Sequence, residues 1–299
     1  MSDNSIINFG ELSKPATVLV EKISDAIGGL FKPYQIVRVA RAEAEAERVK
    51  AESQIEISDL QRRAFYRFLE EEAKKQKNME DITQGALPQL EETSRPSEVD
   101  DDWIANFFDR CRLVSDKEMQ GLWSRVLAGE ANSPGSYSKR TVNLLSGLDK
   151  TDAALFTSLC GFGWVIGHFD PVVYDYKDEI YNKQGITFDA LSHLESIGLI
   201  HLAALTGFMR VRVPKELPVL YYGASVTLRF RKDADNSVDI GMVMLTRVGE
   251  ELAPICGSGP VEGFVDYVRN KWIKLGYIRA EKAERHAAPN GPSAVAPSP

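Results

Sequence analysis

The stretch from Gln35 to Glu80, QIVRVARAEAEAERVKAESQIEISDLQRRAFYRFLEEEAKKQKNME, contains no proline or glycine and decides the architecture of the N-terminal half. Alanine, glutamate, lysine, arginine and glutamine dominate it, and these residues have high helix propensity. At 1.5 Å per residue, roughly 46 helical residues would form a rod of about 70 Å. Helices of ordinary globular domains are much shorter. The sequence therefore predicts a coiled-coil-like stalk.

The second half of this stretch carries an apolar seam at helical spacing, formed by Ala46, Val49, Ser53, Ile57, Leu60, Ala64 and Phe68. Its spacing is nearer an 11-residue repeat than a heptad, which predicts weak or slightly right-handed supercoiling. Because a bare helix of this length rarely persists without packing, we expect self-association. The candidate interaction residues are Val49, Ile57, Leu60 and Phe68. The alternative is a solvated single helix.

The stalk is expected to meet a globular body where Phe65, Tyr66, Phe68 and Leu69 widen its apolar face. On its N-terminal side, a short amphipathic helix is predicted over residues 12–31, with Ser13 as N-cap and Pro15 in the first turn. We expect this helix to dock on protein. Peripheral membrane contact is the alternative, although the helix lacks the basic face of strong interfacial binders.

Residues 97–150 are predicted to form a helical bundle, after a linker that contains Gly85 and Pro88. The acidic run that starts at Asp100 suits the beginning of a helix. Ser115 with Glu118 fits a capping box for the next helix, and Gly129 is expected to end it.

Residues 151–279 are predicted to form an α+β domain, followed by a low-complexity tail over 280–299 that we expect to be disordered. Thr151 or Asp152 would cap its first helix, which could extend to Trp164. A second helix is expected over 187–198 and a last one over 264–275. Strand-like runs cover 200–203, 209–213, 225–230 and 240–245.

The order of a helix ending in Ser196-Ile-Gly-Leu-Ile, a β-ribbon and Leu245-Thr-Arg-Val-Gly-Glu-Glu-Leu resembles a winged helix-turn-helix. The would-be recognition helix carries Asp189 and Glu195 and no lysine or arginine, whereas groove reading needs hydrogen-bond donors. A positive wing remains open, with Arg210, Arg212, Arg229 and Arg231 as its cations. Protein contact is the favoured use of this domain, and DNA binding is the alternative.

No pattern indicates catalysis, a cofactor or a metal. His168 and Asp170 are the only local candidate for a metal-binding pair, and they lack further ligands at suitable spacing. Cys111, Cys160 and Cys256 form no CxxC pair, so we expect free, buried thiols. We assign no catalytic, cofactor-binding or metal residues and expect a protein that is not an enzyme.

The net charge of −7 and the pI near 5.3 argue against a protein whose main activity is binding the phosphate backbone of nucleic acids. The sequence shows no secretory signal and no apolar run of spanning length. We therefore expect a cytoplasmic protein.

The run LWSRVLAGEANSPGSYSKRT, residues 122–141, resembles the signature of a bacterial family known only as a domain of unknown function. The similarity extends over nearly residues 10–280. The N-terminal half is also similar to abortive-infection alpha-type proteins, which implies a link to phage defence. The resemblance supplies no activity and no catalytic residues. Within this signature, Lys139 and Arg140 are expected to pair with Glu130.

The sequence as a whole predicts a mainly α protein with a smaller α+β, winged-helix-like C-terminal domain. Its predicted parts are an amphipathic helix (1–34), a stalk (35–90), a central bundle (97–150), the α+β domain (151–279) and the tail. We expect a homo-oligomeric scaffold or sensor with an unidentified protein partner. A DNA-binding regulator and a peripheral membrane effector are the alternatives.

Overall fold

The computed structural model describes residues 12–28 and 59–278. The segment 29–58, which carries Val49, Ile57 and the first 24 residues of the predicted stalk, lies outside the described residues, as does the tail from 279 onward. Within the described residues the N-terminal half is helical, and a small sheet-containing part follows it.

Helix α1 (Lys14–Ala26) is the first described element, and its cap is the predicted one. The Ala16 N–H donates to Ser13 Oγ at 3.4 Å, and Pro15 lies in the first turn. Leu19 and Ile23 are fully buried in the common core. Lys22 Nζ pairs with Asp101 Oδ1 at 2.6 Å and fixes α1 beside the next part of the chain. The apolar face of α1 is therefore covered by the protein itself.

Helix α2 (Asp59–Ala86) extends beyond its predicted end because its last turns are packed. Asn78, Ile82, Thr83 and Ala86 are buried, whereas nearly every residue from Asp59 to Lys74 is exposed. Gly85, predicted to lie in a linker, is inside the helix. A Cβ at Gly85 would lie 2.6 Å from Ser124 Oγ, so its absence permits close packing. Phe65 and Phe68, which were expected to meet the body, are 41 and 55% exposed, and the buried positions of α2 begin at Asn78.

Helices α3 (Asp101–Cys111), α4 (Lys117–Asn132) and α5 (Lys139–Leu145) form the central helical region. Asp100 caps α3 as expected, accepting from the Trp103 N–H at 2.8 Å. The predicted cap of α4 is wrong, because Asp116 and not Ser115 accepts its first amides, at 3.0 Å. Gly129 does not end α4 either. It lies inside the helix, where a Cβ would meet the ring of Tyr137 at 2.6 Å.

The C-terminal part begins with α6 (Lys150–Cys160), which Asp149 caps in a capping box with Asp152. The helix ends before Trp164, which lies in β1 (Gly163–Ile166). The remaining elements are β2 (His168–Pro171), α7 (Glu179–Asn182), α8 (Phe188–Ser196), β3 (Ile200–Leu202), β4 (Phe208–Val213), β5 (Glu216–Tyr221), β6 (Ala224–Arg229), β7 (Asn236–Gly241), β8 (Val243–Leu245), α9 (Arg247–Leu252) and α10 (Phe264–Lys274). Strands β1, β2 and β5 were not anticipated.

All of the described strand ladders are antiparallel. β3 pairs with β8 and β4 with β7, in two separate two-stranded sheets. The β5–β6 hairpin lies between β4 and β7 in the chain and returns to β1, where Val165 pairs with Leu220, giving the order β2-β1-β5-β6. Trp164 packs between Tyr221 and Trp272 of α10, with ring centroids 5.0 and 4.8 Å apart.

Candidate interaction surfaces

The exposed end of α2 carries the first candidate surface. Leu60, Phe65 and Phe68 are 69, 41 and 55% exposed. With Ala64 between them, they lie within about 140° of one another around the helix axis, at 100° per residue. We call these four residues the projecting face. Of the four predicted interaction residues of the stalk, Leu60 and Phe68 lie here, and Val49 and Ile57 are outside the described residues.

The projecting face points in the same direction as the buried face of the same helix. By the same rotation, Asn78, Ile82 and Ala86 fall in the sector of about 140° that holds Leu60 and Phe68. These three residues are buried against the central helices. One continuous face of α2 is therefore buried in its last turns and exposed to solvent in its first turns.

The four arginines of the predicted wing are not equivalent. Arg210 forms an ion pair with Asp170, which is almost fully buried in β2. Asp170 Oδ1 also accepts from the Leu245 N–H at 3.3 Å. Burial raises the pKa of Asp170, against the opposing effects of the Leu245 N–H and the Arg210 charge. Arg210 is partly buried, and its charge is already partnered by Asp170, which distinguishes it from the other predicted wing cations.

The other three arginines lie at the surface. Arg229 Nε contacts Glu216 Oε1 at 3.2 Å across the β5–β6 hairpin. Arg212 and Arg231 make no ion pair with any residue that the structure describes. Arg212 has a φ of 57°, in the left-handed region, at an irregularity of the β4–β7 ladder. Two of the four predicted wing cations are therefore unpaired by described residues.

Helix α8, the would-be recognition helix, has an acidic and internally engaged surface. Thr187 caps it, accepting from the Ala190 N–H at 3.3 Å. His193 Nε2 lies 2.7 Å from Asp152 Oδ1. Glu195 Oε1 accepts from the Leu202 N–H at 2.8 Å. These contacts hold α8 against α6 and β3. The helix itself contains no lysine or arginine.

The signature run is organised around a buried carboxylate. Glu130 accepts from the backbone N–H groups of Gly135 and Tyr137 at 2.7 and 2.8 Å. Burial raises the pKa of Glu130, although these hydrogen bonds act in the opposite direction. The Trp103 indole N–H donates to the Tyr137 carbonyl at 2.7 Å. The expected pairing of Glu130 with Lys139 or Arg140 is wrong, since Lys139 lies 3.4 Å from Asp100 instead.

A second carboxylate joins this turn to the C-terminal part. Glu251 of α9 accepts from the Ser138 N–H at 2.8 Å and from the Thr141 hydroxyl at 2.5 Å. A shallow cavity of about 380 Å³ opens beside the turn, with Trp103, Tyr137 and Lys139 in its wall. Both carboxylates already accept hydrogen bonds from the protein itself. The signature therefore has a structural role, since it shapes the turn after α4 and connects that turn to α9.

The described residues contain no group of three or more histidine, cysteine and acidic side chains that could hold a metal ion. His168, half of the candidate pair, is exposed in β2, and its companion Asp170 is committed to Arg210. Among the described helices, none is long and apolar enough to span a bilayer.

These features define a largely helical protein with a sheet-containing C-terminal part and an uncovered helix face. The family described as "Protein of unknown function (DUF2806)" matches residues 62–269, from the projecting part of α2 into α10. The chain belongs to this family. No curated protein and no solved structure matches it.

Proposed function

We propose that the protein is a non-enzymatic, self-associating scaffold or sensor, and that the projecting face of one copy packs against the projecting face of a second. The observation that carries the proposal is the change in burial along α2. Its apolar face is covered by the protein's own helices near Ile82 and uncovered near Leu60 and Phe68. A second copy offers a partner of matching length and chemistry.

The free energy gained by burying the projecting face is close to the cost of association, and the contact becomes sufficient if the apolar seam continues toward Val49. Because Leu60, Phe65 and Phe68 are 69, 41 and 55% exposed, covering what remains exposed on two copies would contribute roughly 5–10 kcal/mol, at about 1.5–3 kcal/mol per fully buried side chain. Association costs about 4–15 kcal/mol in lost freedom. The described face alone is therefore marginal. The apolar spacing continues in the sequence at Val49 and Ile57, and these residues would add to the contact.

The test is the mass in solution of the full chain and of the double variant Leu60→Glu/Phe68→Glu, measured by light scattering at micromolar concentration. The expected result is a multimer for the wild type and a monomer for the variant. Leu113→Glu is the matched control, because Leu113 is also 69% exposed but lies between α3 and α4. A monomeric wild type, or a double variant that stays multimeric, would refute the proposal.

A role in phage defence is the biological setting we propose for this assembly. The similarity of the N-terminal half to abortive-infection alpha-type proteins supports it. A phage that infects the host should form plaques less efficiently on cells that express the wild type than on cells that express Leu60→Glu/Phe68→Glu. Equal plaque formation on both strains at equal protein levels would show that self-association has no role in defence.

DNA binding by a winged-helix-like C-terminal domain is the second candidate. The succession of α8, the β3–β8 ribbon and α9, which Thr246 caps, supports this candidate, as do the unpaired Arg212 and Arg231. Binding to duplex DNA should weaken with salt and be reduced in Arg212→Ala/Arg231→Ala. Because the surface of α8 is acidic, this helix is not expected to read base edges, and binding would rest on phosphate contacts from Arg212 and Arg231. Absence of salt-sensitive binding would remove this candidate.

A further inference from the structure

The direction of α4 shows which end of the body is remote from the projecting face, the body being the docked part of α2 and the elements after it. Ser124 Oγ of α4 donates to the Ile82 carbonyl of α2 at 2.8 Å. About two turns later along both segments, the Asn132 amide donates to the Gln89 carbonyl at 3.0 Å. The two helices therefore run in the same direction, and the C-terminal end of α4 lies at the remote end of the body.

Helix α1 docks at this remote end. The Arg95 N–H donates to the carbonyl of Ala131, near the end of α4, at 2.9 Å. The turn Pro96–Glu98 follows directly, and α1 packs against this turn and against α3. Lys22 Nζ of α1 lies 2.6 Å from Asp101 Oδ1 of α3. We call the surface formed by α3 and this turn the α1 site, and it lies level with the last turns of α2.

The connection that leaves α1 is too short to follow a continuous stalk. Helix α1 ends at Ala26, and the stalk is predicted to begin at Gln35. From Gly28 to Gln35 the chain can span at most about 25 Å, at roughly 3.3–3.6 Å per residue. In an unbroken helix, Gln35 would lie about 65 Å from Asn78, where the buried part of α2 begins. A continuous stalk therefore prevents α1 from reaching the α1 site of its own chain.

Helix α1 nevertheless depends on this site for its stability. It has 13 residues, and an isolated helix of this length is marginal in water. Its apolar face is covered, with Leu19 and Ile23 fully buried and Val20 only 1% exposed. Because the α1 site is the same in every copy of the chain, α1 can make identical contacts on a second copy, and such an exchange costs little.

We propose that two copies associate through antiparallel stalks and that α1 of each copy occupies the α1 site of the other. This inference rests on the proposed self-association and specifies its geometry. Parallel stalks would place both copies of Gln35 far from both bodies, so α1 could reach neither site.

Antiparallel packing of the projecting faces brings the two parts together. With Leu60 of one copy opposite the partner's Phe68, Gln35 would lie about 38 Å beyond the partner's Phe68 along the axis of the partner's α2. The partner's Ala86 lies about 27 Å beyond the same point. Gln35 is therefore level with the remote end of the partner's body, and the short connection before it is sufficient to reach the partner's α1 site.

The test uses the wild-type chain and a carbodiimide, which joins an amine directly to a carboxylate that it contacts. Isotope-labelled and unlabelled protein are unfolded together in equal amounts, refolded, cross-linked and digested. We expect about half of the linked Lys22–Asp101 peptides to combine a labelled with an unlabelled chain, as random pairing of two exchanged copies requires. The Lys117–Asp81 pair, at 2.7 Å between α4 and α2, is the internal control and should show no mixed peptides.

The outcomes separate the exchange from self-association. A multimer whose Lys22–Asp101 peptides are all unmixed would overturn the exchange and leave self-association standing. Absence of the Lys22–Asp101 peptide, with Lys117–Asp81 linked, would also overturn the exchange, because α1 would not occupy the site. A monomer, identified by its mass before cross-linking, would refute self-association and the exchange with it.

The length of the connection provides a second test. Insertion of about 30 glycine and serine residues after Gly29 adds up to about 100 Å of reach, so that α1 can return to its own chain. The mixed fraction of Lys22–Asp101 peptides should then fall below that of the wild type. The same insertion after Asn290, in the tail, is the matched control and should leave the fraction unchanged. A fraction that the insertion after Gly29 does not lower would contradict the proposal.

Discussion

The two ends of α2 have the same periodicity and opposite environments. Near Ala86 the apolar face packs on α4, and Ile82 is fully buried. Near Asp59 the continuation of that face is exposed, with Leu60 and Phe68 more than half accessible. The difference teaches that apolar spacing identifies which face of a helix will be buried. It does not identify how far along the helix the chain's own body reaches.

Polar contacts distinguish the two ends as well. At the docked end the Asn78 amide donates to the Arg112 carbonyl at 2.9 Å, and Ser124 Oγ donates to the Ile82 carbonyl at 2.8 Å. At the projecting end the contacts are exposed ion pairs such as Arg67–Glu71 at 3.4 Å. Exposed pairs of this kind contribute little. The stability of one copy is therefore concentrated in the docked end.

The largest effect on stability is expected from Ile82→Ala. Removing this buried side chain leaves a cavity between α2 and the central helices, and we expect the free energy of unfolding to fall by about 2–5 kcal/mol. Leu60→Ala, measured by urea denaturation at a concentration where the protein is monomeric, should change it by less than about 0.5 kcal/mol. Equal losses in the two variants would break the comparison between the ends.

A smaller effect is expected from Asn78→Ala. The substitution removes the donor to the Arg112 carbonyl and the acceptor of the Gln120 amide, which lies 3.2 Å away. Leaving buried polar groups unpaired costs about 1–3 kcal/mol. Glu70→Ala, on the exposed part of the same helix, serves as control and should be close to neutral in urea denaturation. A neutral Asn78→Ala would show that the docked end opens to water.

The smallest effect is expected from Asp81→Asn. Asp81 accepts from Lys117 and Lys77 at 2.7 and 2.9 Å, and these cations lower its pKa against the opposing effect of partial burial. A depressed pKa contributes stability above the ordinary value of 3.8, and the contribution is lost as pH falls through the lowered pKa. At neutral pH the loss in Asp81→Asn should be under about 1 kcal/mol.

The pH dependence provides the check on this last prediction. The difference in unfolding free energy between Asp81→Asn and the wild type should shrink in acid, as the wild-type carboxyl becomes protonated. Glu71→Gln, which removes the exposed ion pair with Arg67 at the projecting end, should have the unfolding free energy of the wild type at both neutral and acidic pH. A difference that persists unchanged below the lowered pKa would assign the effect to packing.

Local signals in the sequence were sufficient for several helix starts. Ser13 accepts from an amide three residues on, as predicted, and Thr187 and Thr246, which also precede apolar-periodic runs, cap their helices in the same way. The same logic failed at Ser115, because its neighbour Asp116 takes the amides instead. It failed at Gly129 because the glycine is required by the ring of Tyr137, which returns from the following turn.

The candidate surfaces were predictable only in part for the same reason. Leu60 and Phe68 could be assigned to one face from spacing alone. The partner of Arg210 could not be found, since Asp170 is 40 positions away and is brought beside it by strand packing. Strand β1 was missed because Trp164 resembles the continuation of the preceding helix, and because β5, one of its two neighbours in the sheet, is distant in sequence. Pairings of this kind carry no local periodicity.

The return of the β5–β6 hairpin to β1 has a consequence for the order of folding. Val165 and Leu220 are roughly 55 residues apart, and contacts of such separation form slowly because a large loop must close first. The hydrogen bonds from Glu130 to the turn at Gly135 and Tyr137 join near neighbours and can form early. Trp164, fully buried between the returning hairpin and α10, is therefore placed to report the late step. Its fluorescence should change in a slower refolding phase than the helical signal in far-ultraviolet circular dichroism.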